Sequence, residues 1–212
     1  MAAIKNTFFT KDGPIPFNHS PHSPHALIFD LIKSNTTILD IGCNNGLLGQ
    51  ELLLKKVTSD GIDVNPALIN QAKKYYRRVF IRDLYHPRLN ITAFKYDYVI
   101  LSDILEHLPQ PDQLLIDVHR YIDKKSLVIV SLPNIARLEI RAKLLFGSFN
   151  YRQSGILSSD HLRFFTKQSA IRLFRSANYS VIDIIPTGLG HQFPFLSNLL
   201  AFQFIFVLKY IL

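Results

Sequence analysis

Ile38-Leu39-Asp40-Ile41-Gly42-Cys43-Asn44-Asn45-Gly46 sets an apolar run directly against a glycine-bearing turn. Ile38 to Ile41 reads as a buried strand, and from Leu47 to Leu54 apolar residues resume at helical spacing. Gly42 permits the tight turn, while Gly46 has no Cβ to hold a ligand's ribose or the new helix away from the backbone. Asn44, between them, is a residue type that tolerates left-handed backbone. The helix that follows presents free N–H groups at its positive end. Strand, turn and helix N-terminus together predict an element that cradles a nucleotide.

The spacing selects among cofactors. A dinucleotide fingerprint G-x-G-x-x-G needs a third glycine where Leu47 stands, so the pattern is acidic-x-Gly-x-small-x-Gly, spelled Asp40, Gly42, Asn44, Gly46. A second apolar stretch ends in Gly61-Ile62-Asp63-Val64-Asn65, which places a carboxylate twenty-three residues after Asp40. A carboxylate at about that distance offers two acceptor oxygens to a ribose diol.

With these motifs the chain resembles the class I S-adenosylmethionine-dependent methyltransferases. The resemblance implies that Asp40, Gly42, Cys43, Asn44, Gly46 and Leu47 surround S-adenosyl-L-methionine, with Asp63 and Val64 at its ribose. Arg82-Asp83-Leu84 is similar to the family's adenine-edge position, so Asp83 and Leu84 join the cofactor set. Tyr96 to Leu101 leads into Ser102-Asp103-Ile104-Leu105-Glu106-His107-Leu108, which resembles the signature after the fourth strand and adds Ser102 and Asp103. Leu127 to Leu132 runs into Pro133-Asn134, as in relatives. Asp160-His161-Leu162-Arg163-Phe164-Phe165-Thr166 resembles the His-Leu-Arg-Phe-Phe-Thr signature of a subgroup that includes quinone-pathway and sugar-polymer-associated methyltransferases.

The chain's 212 residues fit one α/β domain with a sizeable core. Hydrophobic residues make up 48%, which excludes a disordered chain, and a single cysteine excludes a disulfide framework. Cys43 reads as a small apolar filler, because no activating base adjoins it. The net charge of +8 favours anionic partners. Its basic residues are scattered: Lys73, Lys74, Arg77 and Arg78 fall on a helix expected from about Pro66, and Arg137, Arg141, Lys143 and Arg152 follow strand five. Such spread reads first as a solvated face, with a nucleic-acid groove second.

Strands near 38–42, 59–63, 78–81, 96–101, 126–132, 180–185 and 202–208 alternate with helices. They predict a doubly wound, Rossmann-like, seven-stranded and mainly parallel sheet with an antiparallel last strand. Residues 1–22 read as an irregular lead-in and 23–212 as the single domain, whose first helix is capped by Ser23-Pro24. Residues 134–160 break the alternation at a strand's carboxyl end and are the candidate substrate lid. His19, His22 and His25 recur every third residue. In an extended segment they would stand ~9 Å apart, too far for one metal at ~2 Å bond lengths, so no metal is expected there. In relatives this segment often covers the cofactor, which points to His25.

Residues 1–20 lack the apolar core of an export signal, so the expected compartment is the cytoplasm. Phe193 to Leu208 is apolar, but sixteen residues containing a proline fall short of the ~20 a spanning helix needs. A short helix and a final strand explain it, with peripheral membrane contact as the alternative.

Methyl transfer needs alignment, exclusion of water and at most a base. His107 and His161 are the base candidates, since imidazole titrates near neutrality, with Glu106 beside His107. The expected function is methyl transfer to an oxygen or nitrogen of a small-molecule or sugar-linked acceptor. The alternatives are a nucleic-acid methyltransferase, which the basic charge permits, and an inactive binder that keeps the fold.

Overall fold

A computed structural model of the chain describes residues 9–10, 13–14, 17–86 and 88–211. The sheet strands are β1 (Thr37–Ile41), β2 (Thr58–Asp63), β3 (Arg78–Ile81), β4 (Tyr98–Ser102), β5 (Leu127–Pro133), β6 (Tyr179–Pro186) and β7 (Gln203–Tyr210). They form a seven-stranded sheet in the order β3-β2-β1-β4-β5-β7-β6. The β1–β2, β1–β4, β2–β3 and β4–β5 pairs are parallel, and β7 lies antiparallel to both β5 and β6. The expected fold class is therefore the observed one. Order reverses between β1 and β4, which opens a crevice at their carboxyl ends, where ligands bind in such sheets.

The helices are α1 (Pro24–Leu31), α2 (Leu47–Leu52), α3 (Pro66–Ala72), α4 (Pro111–Val118), α5 (Leu138–Leu145), α6 (Lys167–Ser176), α7 (Leu189–Gln192) and α8 (Ser197–Leu200). Buried apolar residues cover both sheet faces. Leu39, Ile41, Val99, Leu101, Val128 and Val130 face α4 and α6 in one cluster, whereas Ile38, Ile100 and Ile129 meet Leu27, Ile28 and Ile32 of the α1 segment in another. That alternation along each strand is the period-two pattern of a sheet covered on both sides. Helix starts are chemically marked. Ser23 accepts from Ala26 N–H, Asn65 from Ala67 N–H, and Thr166 with Ser169 forms a capping box at α6.

Two local expectations are corrected. The lead-in contains an antiparallel pairing of Phe9–Thr10 with Gly13–Pro14, and a turn closed by Ser23 N–H onto Ser20 C=O interrupts the His19-to-His25 run. Helix α3 ends at Ala72, so Arg77 and Arg78 are not on it. Both guanidiniums reach the fully buried Asp60, at 2.7 and 2.6 Å, because a carboxylate in the interior requires charged partners. The C-terminal apolar stretch divides: Phe204 to Leu208 are buried in β7, while Phe193, Phe195 and Leu196 are exposed. Among the described residues no helix is long and apolar enough to cross a membrane.

Candidate functional site

β1 delivers Asp40 and Ile41 into the turn that opens α2. Gly42, Asn44 and Gly46 all take positive φ, +83°, +51° and +88°, which glycine and asparagine adopt at least cost. A Cβ on Gly42 would overlap the Ile104 side chain, and one on Gly46 would come 2.9 Å from Ala72 Cα. Gly46 thus lets α2 approach α3. Gly42 and Cys43 N–H groups donate to Ile62 C=O at 2.8 and 2.9 Å. Asp63 completes the frame by accepting Asn44 N–H on Oδ2 and Asn65 N–H on Oδ1, each at 2.9 Å. A carboxylate has about four acceptor directions, so each oxygen keeps one free.

A cavity of about 290 Å³ lies over this turn. Its walls include Asp40, Gly42, Cys43, Asn44, Leu47, Ser102 and Asp103 from the sheet edge, with His25 and Ile28 of α1 opposite. Of the twelve residues assigned to the cofactor from sequence, these seven line one space, and Gly46 shapes its turn from behind against Ala72; Asp63, Val64, Asp83 and Leu84 do not line it. Those four stand at the ends of β2 and β3, joined by Arg82 N–H to Asp63 C=O at 3.0 Å. They occupy the same carboxyl edge, one strand further out. Asp83 Oδ1 accepts Tyr85 N–H and shapes its own turn.

His25 faces this cavity and stacks on Phe17, with ring centroids 5.1 Å apart. Burial lowers its pKa, and the nearby Asp103 charge opposes that. His22 stacks instead on His191, so the periodic histidines diverge. Asp103 itself sits at φ +53° and is clamped there: its Oδ1 accepts from Ser131 Oγ at 2.9 Å and Gln203 Nε2 at 2.7 Å.

Asp40 is buried and accepts Tyr76 Oη–H at 2.5 Å. Burial raises its pKa from 3.8 to about 6, the tyrosine bond opposes the rise and the charge of Asp63 adds to it. The folded state therefore holds a proton between pH ~4 and ~6 that the unfolded chain has released, and stability falls as pH rises through that window. The expected loss is on the order of 2–3 kcal/mol, level above pH ~6. Urea midpoints compared with those of Asp40→Asn from pH 4 to 7 check this, because the variant lacks that component. Cys43 is also buried and its thiol is pushed up, first by burial and then by the Asp40 and Asp63 charges. It is the inert filler expected from sequence.

Beyond Asp103, a single 3₁₀ turn, Leu105–His107, carries Glu106 and His107. Leu162 and Arg163 N–H groups both donate to Glu106 C=O, at 2.9 and 3.0 Å, which fastens the 160s segment to this turn. His107 and His161 rings meet edge-on, with centroids 4.8 Å apart. Glu106 is 1% exposed, and burial, then the Asp103 charge, raises its pKa well above the usual carboxylate range. Burial lowers that of His161, and His107 adds to the effect. Arg163 turns outward to the Leu108 and Pro109 carbonyls and acts as a fastener. Phe165 packs into the core and Phe164 against Ile140, Ile156 and Leu157 of the 134–160 insertion.

Residues 19–184 match a family profile described as a methyltransferase domain. The chain belongs to the methyltransferase-domain family. Its fold is that of class I S-adenosylmethionine-dependent methyltransferases. A methyltransferase of this type from Methanosarcina mazei superposes with a TM-score of 0.66 at 15% identity, covering 90% of this chain and 98% of that one. Magnesium protoporphyrin IX methyltransferase from Synechocystis, solved with bound S-adenosylhomocysteine, gives a TM-score of 0.62 at 15% identity over 88% of this chain and 79% of that one. In sequence the chain is 26% identical over 147 residues to a ubiquinone biosynthesis O-methyltransferase of Rickettsia prowazekii, covering 62% of this chain and 56% of the relative. Its counterpart from Pseudomonas syringae is 27% identical over 106 residues, 46% of this chain and 44% of the relative. The matched part is thus about half the length of these curated relatives.

Within the methyltransferase domain, three supports had no sequence signal. Tyr76 reaches Asp40 from thirty-six residues away, and Ser131 and Gln203 hold Asp103 from twenty-eight and one hundred residues away. Asn18 and Ile28, which line the cavity, sit in segments with no motif.

Proposed function

We propose that this domain transfers a methyl group from S-adenosylmethionine to an oxygen or nitrogen of a small-molecule or sugar-linked acceptor, with a hydroxyl oxygen favoured. The observation that carries this reading is the cavity over the Gly42 turn, whose wall at Asp103 continues directly into the Glu106–His107 turn. The curated relatives' name, O-methyltransferase, supports oxygen. When bound, the cofactor supplies an electrophilic methyl on sulfonium sulfur. The chain's residues do the rest. Asp63 and the Gly42 turn hold the nucleoside end, Asp83 and Leu84 flank its base, and Ser102 and Asp103 border the reacting end. α1 with His25 keeps water from the cavity. Glu106, His107 and His161 stand at the acceptor side as the candidate catalytic groups, and the 134–160 insertion covers the acceptor.

Calorimetric titration with S-adenosylhomocysteine, followed by release of that product in the presence of hydroxylated aromatic and sugar acceptors, tests the reading. Absence of binding at millimolar ligand by folded protein overturns it. His107→Ala is expected to lower turnover by roughly 10²–10⁴-fold, the range for loss of a proton-transfer group. Its dissociation constant for S-adenosylhomocysteine should stay within about twofold, since His107 lies outside the cofactor walls. Unchanged turnover assigns His107 to holding Asp160 C=O, 3.1 Å from its Nδ1.

A further inference from the structure

Methyl transfer alone gives no reason for a bare carboxylate in the interior. Glu106 is 1% exposed, yet among the described residues neither of its side-chain oxygens has a hydrogen-bond partner. Buried carboxylates are ordinarily paired or coordinate a cation. Around it the donors are arranged: one ligand atom from each of Glu106, His107 and His161 lies within 4.8 Å of the other two.

The imidazoles are set for the same purpose. Nδ1 of His107 is 3.1 Å from Asp160 C=O, and Nδ1 of His161 is 3.0 Å from Ile156 C=O. A carbonyl oxygen only accepts, so each Nδ1 carries the proton and each Nε2 keeps a lone pair. Metal-ligating histidines show this pairing, in which the carbonyl fixes both tautomer and ring direction. The strap from His161 to Arg163 is bonded to the Glu106 carbonyl oxygen, so the ligands from two distant segments are held in register. Ile156, Pro133, Phe164 and Phe165 wall the place with apolar surface.

We propose that Glu106, His107 and His161 bind one divalent cation of the zinc class beside the cofactor cavity. Two imidazoles and one carboxylate with an open fourth position are a catalytic zinc ligand set, whereas magnesium and calcium favour oxygen ligands. With bonds of ~2.0–2.1 Å, tetrahedral donors stand roughly 3.4 Å apart, so these side chains draw in by roughly an ångström on binding. The chemical use of the cation rests on the methyl-transfer reading. An acceptor hydroxyl in the open position loses its proton to solvent more readily, as metal-bound water does, and the oxygen keeps both bonding electrons for attack. The imidazoles are then ligands, and the cation does the acidifying that a free base would otherwise do.

The test uses the full chain, stripped with a chelator and reloaded with Zn²⁺ or Co²⁺ in the absence of cofactor. One zinc per chain by atomic emission and the visible band of tetrahedral cobalt are expected. His107→Ala and His161→Ala should each weaken zinc affinity at least a hundredfold and abolish the cobalt band. Glu106→Gln, close in shape, is expected to weaken zinc at least tenfold and serves where an alanine variant does not fold. Fewer than about one zinc per ten chains in the parent overturns the site, as does equal binding by the His161 variant. Zinc lost instead from His19→Ala/His22→Ala also overturns it. Titration of metal-free protein with S-adenosylhomocysteine separates the two ideas. Protein that binds the nucleoside but takes up no zinc sinks the metal site alone, and protein that takes up zinc but binds no nucleoside sinks methyl transfer alone.

Discussion

Asp63→Ala raises the dissociation constant for S-adenosylhomocysteine by tenfold to about a hundredfold. Each charge-assisted hydrogen bond to a ligand hydroxyl contributes about 1.5–3 kcal/mol, and the alanine removes the acceptors outright. The carboxylate has a second task, since its oxygens hold Asn44 and Asn65 N–H groups at 2.9 Å. Removing it therefore also frees the left-handed Asn44 from the conformation that shapes the cavity floor. Asp63→Asn restores little, because its amide NH₂ must face one of two N–H donors. Isothermal titration of parent and variants decides the matter, and an alanine variant within threefold of the parent removes Asp63 from the site.

The largest expected effect on stability belongs to Asp60, which no cofactor touches. Burial alone would raise its pKa, but hydrogen bonds from Arg77, Arg78 and Tyr96 outweigh that and hold it at about 2. Tyr96 Oη–H donates at 2.6 Å, and both arginines donate through two nitrogens. Asp60→Ala leaves two guanidiniums and a buried hydroxyl without their acceptor, at a cost of about 3–5 kcal/mol. For a chain of this size that is a fall in melting temperature of roughly 10 °C. The pKa lies below the unfolded value of 3.8, so the contribution is complete above that pH and is lost as pH falls toward 2. Acid titration of thermal stability should show a step in the parent that the variant lacks. A loss under about 1 kcal/mol would mean that the arginines find water instead.

The same residues show what a sequence discloses. The glycine turn was legible because its requirements are local: positive φ at Gly42, Asn44 and Gly46 needs those residue types wherever the rest of the chain goes. The Ser23-Pro24 cap of α1 and the α3 start at Pro66 were legible for that reason too. Arg77 and Arg78 were misread as a solvated helical face, since nothing local distinguishes a cation facing water from one facing a carboxylate buried by later packing. Glu106-His107 was found, but its pairing with His161 across fifty-four residues depends on the hydrogen bonds from Leu162 and Arg163 to Glu106 C=O. The clamp on Asp103 was invisible, because Gln203 reaches it only once β7 is seated beside β5.

That seating has a consequence for biosynthesis. β7 is inserted between β5 and β6 and is the sheet neighbour of both. While residues 203–210 remain inside the ribosome, β6 has no strand to pair with and β5 presents an open edge of backbone donors and acceptors. The sheet therefore cannot close before β7 has joined it, and until then the domain carries an open edge of the kind that invites mispairing.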